Sequence, residues 1–302
     1  MERHTATADA TIPMMLLSYM KKGEDVTLNY HISEKLRGNI DEIQDKYCAM
    51  YPDLKKVKVT TLKNYTACFF TGGVDSFYTV LKNMDKIDRL VYVQGFDIRL
   101  DNEEQLRMVT NRLQEATAGL GVHFRPVRST MRDVIVDGPN WLTQFGAALA
   151  SVALSLPGCK KMYIPSSGIG QWGSSPDIDP LWSTETTEIV HYGAYTSRLD
   201  KVRFISDFPV VLKHLRVCWE STTAYNCGYC EKCLRTLVQL YICGALDKAE
   251  SFDTPTVAAL ANRIDNLKKP EGYGLIFAKE NYDACPDGIV KDALRDLIHK
   301  NN

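Results

Sequence analysis

The stretch YTACFFTGGVDSFYTVLK, residues 65–82, decides the reading of this chain. An apolar run, 66–70, meets the turn Thr71-Gly72-Gly73-Val74-Asp75-Ser76, and Phe77, Val80, Leu81 and Met84 then recur on one helical face. A strand, a glycine turn and a helix in that order form the context in which a glycine-rich loop holds phosphate. Glycines let the backbone come close to a ligand, and the first turn of the helix presents unpaired N–H groups to an anion. Thr71 and Ser76 add hydroxyls. No lysine stands in the loop, so it is not of the Walker type.

Downstream the pattern alternates strand and helix, as in an α/β domain with a parallel sheet. Strands are expected over 89–96, 122–127 and 161–164. A long helix is expected from an Asp101 cap, with Glu104 three residues on, to Gly119 and Gly121. A nearly apolar helix is expected over 141–156, and a further helix opening at Ser183 to Thr186. Loops at the carboxyl ends of such strands gather round one crevice. That rule brings together 70–76, Phe96, Asp97, Arg128 and the loop 166–180, which contains Gly168, Gln171, Trp172, Asp177 and Asp179. Asp97 suits ribose or adenine, and Arg128 suits phosphate.

The rest of the chain bounds the problem. Its 302 residues carry a net charge of −1, with 45% hydrophobic and 24% charged residues, an ordinary globular composition that does not favour a nucleic-acid partner. No apolar run reaches the roughly 20 residues that span a bilayer, and the charges near the short run 12–20 follow it rather than precede it. A cytoplasmic protein with no membrane partner is expected. Residues 1–10 read as a loose tail. A strand over 26–31, a helix capped by Ser33 and a second alternating run over 55–62 make an N-terminal α+β extension. Its roles stand open as appendage, lid or oligomer contact, the last implying a homodimer. Two short helices are expected after residue 254.

Four of the nine cysteines cluster as Cys218, Cys227, Cys230 and Cys233, a C-x8-C-x2-C-x2-C spacing. Four thiolates close a tetrahedral shell, so the site reads as structural zinc, with Lys232 and Arg235 offsetting its charge. The expected domains are 1–64, a nucleotide-binding domain over 65–210, and a zinc-binding helical region over 211–302.

The hexamer Thr71–Ser76 resembles the S-G-G-x-D-S loop of the PP-loop ATP pyrophosphatases, with threonine for the first serine. Together with the cysteine spacing some 140 residues later, it is similar to one branch, the 7-cyano-7-deazaguanine synthases. The resemblance covers roughly 65–244. It implies a Rossmann-like fold with helices on both faces of a parallel sheet, with ATP and Mg²⁺ as cofactors. It also implies adenylation of a carboxylate such as 7-carboxy-7-deazaguanine, followed by coupling to an amine, giving amide or nitrile. Thr71, Gly72, Gly73, Val74, Asp75 and Ser76 would hold the phosphates, with Asp75 and Ser76 catalytic and Asp75 either holding Mg²⁺ or bracing the loop. Asn140, Gln171, Trp172, Asp177 and Asp179 would face the substrate. The family's R-N pair is Pro139-Asn140 here, and the Pro176-Asp177 pair is kept without its following arginine. These departures remodel the substrate side and admit a larger amine, even a protein. Synthase-like proteins also occur in anti-phage defence clusters, where the tailored molecule differs. The rival expectations are a tRNA-modifying PP-loop enzyme of thiolase or lysidine-synthase type, and a catalytically silent nucleotide-binding subunit.

Overall fold

The computed structural model describes residues 8–134, 140–168, 173–253, 256–267 and 273–300. The chain forms two compact units, 1–65 with 152–160, and 66–151 with 161–302.

The first unit opens with α1, Thr11–Lys22. The short apolar run 12–20 belongs to this helix, and Pro13 is tolerated because proline in a first helical turn removes no hydrogen bond. Strand β1, Val26–His31, helix α2, Glu34–Met50, and strand β2, Val59–Leu62, follow as a parallel β-α-β unit with Val26 opposite Val59. Ser33 caps α2 by accepting from the Leu36 N–H at 3.3 Å. Ile12, Leu16, Met20, Leu28 and Ile40 make its separate small core.

The second unit is built on β3, Tyr65–Phe69, leading through the glycine turn to α3, Val74–Lys82. Strand β4, Arg89–Gln94, helix α4, Glu103–Leu120, and strand β5, His123–Arg128, come next, followed by the short α5, Met131–Val134. Helix α6, Trp141–Ser155, strand β6, Cys159–Pro165, and strand β7, Glu188–Tyr192, complete the sheet. Five parallel strands lie in the order β5-β4-β3-β6-β7, flanked by helices. The chain steps one way from β3 to β5 and the other way through β6 to β7. The switch point, where ligands of open α/β sheets bind, therefore lies between the carboxyl ends of β3 and β6.

Two local expectations are corrected. Asn102, not Asp101, caps α4, its Oδ1 accepting from the Gln105 N–H at 3.2 Å. Ser183 opens no helix, because 183–187 is a turn that feeds β7.

The remaining elements are α7, Arg198–Ile205, α8, Pro209–His214, α9, Glu231–Ile242, α10, Val257–Asp265, α11, Tyr273–Tyr282, and α12, Ile289–Lys300. Among the described residues three helices, rather than the expected two, follow residue 254. Leu90, Leu113, Leu234, Leu260 and Leu294 share one core, so the cysteine region and the sheet belong to one compact unit. Phe77 places α3 on that core, its ring edge-on to Phe70 at 4.9 Å. No helix among the described residues is long and apolar enough to cross a membrane.

Candidate functional site

The glycine turn sits at the switch point. Gly72 has φ +74°, and a Cβ there would lie 2.7 Å from Leu113 Cδ2, so this position requires glycine. Gly73 is the residue before α3, with extended backbone at φ −79° that any residue adopts. A Cβ there would meet Thr71 Oγ1 at 3.3 Å and nothing else closer than 3.6 Å. The absence of a side chain at Gly73 thus keeps the space over the helix start clear rather than relieving strain. Thr71 is exposed, Val74 is core, and the buried Ser76 hydroxyl donates to the Gly73 carbonyl at 3.0 Å.

Asp75 is held by cations that sequence reasoning missed. Lys201, on α7 and only 2% exposed, donates to Asp75 Oδ1 at 2.9 Å and to the Ser166 carbonyl at 2.6 Å. One ammonium therefore ties the loop after β3 to the loop after β6, across the switch point. Arg198, also on α7, approaches Asp75 Oδ2 at 3.7 Å and donates to Thr236 Oγ1 on α9 at 3.2 Å. Asp75 is thus paired with two cations of α7.

The surroundings are rich in positive charge. Burial, with Arg235 nearby, pulls the Arg198 guanidinium down to about 10, against the pull of Asp75, Glu231 and Glu280. Burial and then Arg198 pull the Lys232 ammonium down. Arg235 pairs with Glu231 one turn earlier at 3.4 Å, and burial holds that carboxyl above its ordinary range. Lys232 thus feels Arg198, Asp75, Arg235 and Glu231, while Arg235 faces Arg198 and Glu231. The Arg198 Nε is buried and unbonded among the described residues.

Another cation, Arg216, lies under the loop. Arg216 donates its backbone N–H to the Gly72 carbonyl at 2.7 Å, and its guanidinium pairs with Asp97 at the end of β4. Burial opposes the Arg216 charge, but Asp97 more than offsets it, so its value stands above the ordinary one. Tyr92 donates its hydroxyl to Asp97 Oδ1 at 3.1 Å, and the Ile98 N–H donates to the same oxygen at 2.9 Å. Asp97 is therefore engaged under the loop by Arg216, Tyr92 and the Ile98 N–H.

Other expected residues divide. The Phe96 ring is buried against Trp141 and Phe145 at 5.0 and 6.1 Å, so it supports the aromatic base of α6 rather than opening to a ligand. Arg128 is exposed at the carboxyl end of β5, beside Gln94. Gly168 closes a turn with Ser166, whose Oγ accepts its N–H at 3.1 Å. Asn140 uses its oxygen to cap α6, accepting from the Thr143 N–H at 3.1 Å and the Thr143 hydroxyl at 3.2 Å, so the amide N–H groups are what it has left to offer. Asp177 is exposed. Asp179 has no exposed side-chain surface. It accepts from Ser174 Oγ at 2.6 Å and meets His191 Nδ1 at 2.7 Å, so it fastens the loop to β7 and does not face substrate. Gln171, Trp172 and Pro139 lie outside the described residues.

The four cysteine sulfurs of Cys218, Cys227, Cys230 and Cys233 lie within 4.8 Å of one another, with Cys218–Cys230 at 4.0 Å and Cys227–Cys233 at 3.9 Å. Zinc–sulfur bonds of about 2.3 Å in a tetrahedron put sulfurs about 3.8 Å apart, so the cluster has the size and ligand set of a closed zinc site. Gly228, at φ +75°, makes the turn that lets the Tyr229 and Cys230 N–H groups point at Cys227 Sγ, at 3.4 and 3.3 Å. Asn226 anchors the knuckle. Its Oδ1 accepts from the Val217 and Cys218 N–H groups at 2.9 and 3.2 Å, and its Nδ2 donates to the Leu215 and Ser251 carbonyls at 2.8 and 2.9 Å. Comparisons with family models, with curated proteins and with solved structures give no match.

Proposed function

We propose that the chain is an ATP-dependent ligase of the PP-loop type with a structural zinc centre. It would convert a carboxylate to an acyl adenylate and join it to an amine. One observation carries this reading. A glycine turn opens a helix at the switch point of a parallel sheet, and beside it lie the cations Lys201, Arg198, Lys232 and Arg235, against the carboxylates Asp75, Glu231 and, more weakly, Glu280. Buried cations in excess of their counter-charges are costly, and a polyphosphate is the natural anion to complete them.

The chemistry asks for that arrangement. A carboxylate oxygen attacks the α-phosphorus in line, and pyrophosphate departs from the opposite side. An amine then attacks the acyl carbon and expels AMP. Catalysis of the first step is positioning and neutralisation of charge on the departing phosphates. The N–H groups of the first turn of α3, kept accessible by Gly73, would hold a phosphate. Lys201 and Arg198 would set the loop through Asp75, and Arg198 has an N–H still to give. Mg²⁺ would supply charge between the phosphate oxygens.

For the acid we infer a planar heterocycle, with 7-carboxy-7-deazaguanine first among candidates. Asn140, with its amide N–H groups, and Asp177, with its carboxylate, offer a donor and an acceptor to a purine-like edge. The acceptor would be ammonia or a larger amine, including one on a protein. The test is to incubate the protein with ATP, Mg²⁺ and 7-carboxy-7-deazaguanine and follow AMP, pyrophosphate and the acyl adenylate by mass spectrometry. AMP that forms only with the acid supports the reading. ADP, or no turnover together with no calorimetric ATP binding, overturns it.

A further inference from the structure

The segment that carries the four cysteines is linked to the glycine turn directly at one end and through Arg198 at the other. Two residues before Cys218, the Arg216 N–H donates to the Gly72 carbonyl at 2.7 Å. The same segment is pinned by Asn226, one residue before Cys227, which accepts from the N–H groups of Val217 and Cys218. Three residues after Cys233, the fully buried Thr236 joins the other side. Its hydroxyl donates to the carbonyl of Lys232, between two of the sulfur ligands, at 2.8 Å, and its oxygen accepts from Arg198 Nη2 at 3.2 Å. Arg198 in turn approaches Asp75 in the loop. The knuckle thus leads to the loop through a backbone hydrogen bond at Gly72 and through the relay Lys232 carbonyl, Thr236, Arg198, Asp75.

A closed tetrathiolate site is usually regarded as a staple that holds a fold without touching chemistry. Here the metal would fix Cys218, two residues from the direct contact at Arg216, and Cys233, three residues from the Thr236 that holds Arg198. We infer that Arg216 and Arg198 are positioning residues that couple the tetracysteine centre to the glycine turn, so that metal occupancy and polyphosphate binding at the turn reinforce each other. The inference rests on the nucleotide reading of the turn given above.

Coupling between binding sites is reciprocal in affinity, so it can be read at the metal without any turnover. Zinc-loaded full-length protein is brought to equilibrium with graded amounts of a chromophoric chelator, and the zinc affinity is measured with and without saturating ATP. The Gly73→Val protein, tested in the same mixtures, reports any direct effect of ATP on zinc. In wild type, ATP raises the zinc affinity about fivefold or more, the lower end of ordinary coupling. In Thr236→Val, which keeps the side-chain shape but removes the hydroxyl relay, the gain shrinks severalfold while zinc is still bound, and Thr236→Ser restores it. Calorimetry of ATP on the same samples separates the two claims. ATP that binds wild type without raising its zinc affinity overturns the coupling and leaves the nucleotide reading standing. A gain that is equal in wild type and Thr236→Val overturns the relay. Failure of ATP to bind at all overturns both.

Discussion

The ion pair between Lys201 and Asp75 can be tested by a double-mutant cycle. Lys201 is 2% exposed and Asp75 is 22% exposed, with nitrogen and oxygen 2.9 Å apart. Lys201→Met keeps the length and removes the charge. It strips Asp75 of its nearer partner, leaving Arg198 at 3.7 Å, and takes a donor from the Ser166 carbonyl. Removing one member of a buried pair costs about 3–5 kcal/mol. Arg198 remains and Asp75 is partly solvated, so about 2–3 kcal/mol is expected here. Asp75→Asn leaves a buried ammonium with the Ser166 carbonyl and a neutral amide, for about 3 kcal/mol. With both changes the uncompensated charge is gone, so the double variant should lose about 2 kcal/mol less than the sum of the single ones. Each kcal/mol corresponds to about 2–4 °C at this size, so each single variant should melt several degrees lower by circular dichroism. Denaturant titrations give the free energies for the cycle. If the two single effects added to within about 0.5 kcal/mol, the bridge across the switch point would not exist in solution.

Further outcomes follow from the same geometry. Gly73→Val, at an ordinary φ, should leave the melting temperature within a few degrees of wild type and abolish ATP binding by calorimetry, whereas Gly72→Ala, forced to φ +74° against Leu113, should cost more than about 1 kcal/mol of stability. Purified protein should contain about one zinc per chain by elemental analysis, and Cys218→Ser or Cys233→Ser should lower both zinc content and melting temperature. ATP affinity should depend on pH through Arg198, which faces Asp75 from α3, Arg235 and Glu231 from α9, and Glu280 from α11. Its folded-state value is depressed to about 10, and a bound polyphosphate favours the charged form. Affinity measured by calorimetry should therefore hold up to about pH 9 and weaken as pH rises through about 10 and beyond, and Arg198→Gln should flatten that decline.

The sheet and its loop were legible because their signals are local. Residues 65–82 carry a strand, a turn and a helix in eighteen consecutive positions, and the cysteine spacing names its own ligand set. Ser183-Thr184-Glu185-Thr186 misled because a capping pattern looks the same whether a helix or a strand follows, and the run Glu188–Tyr192 that pairs with β6 is short. The cations were illegible for a different reason. Lys201 and Arg198 stand about 125 residues from Asp75, on a helix whose charged residues look like an ordinary solvated face. Nothing in the sequence marks a lysine as buried, and only the packing of α7 against α3 turns it inward. The engagement of Asp97 and Asp179 was illegible on the same ground, since their partners Arg216 and His191 arrive from elsewhere in the chain.

The central claim is that a carboxylate oxygen attacks the α-phosphorus of ATP. The most direct measurement supplies 7-carboxy-7-deazaguanine with ¹⁸O in its carboxylate, together with ATP, Mg²⁺ and an amine, and locates the label by mass spectrometry. The oxygen that forms the acyl adenylate leaves with the phosphate when the amine attacks carbon. One ¹⁸O should therefore appear in AMP, with pyrophosphate unlabelled. Label in inorganic phosphate alongside ADP would mean attack at the γ-phosphorus, and AMP without label would mean that ATP is cleaved without activating the acid; either result would contradict the account.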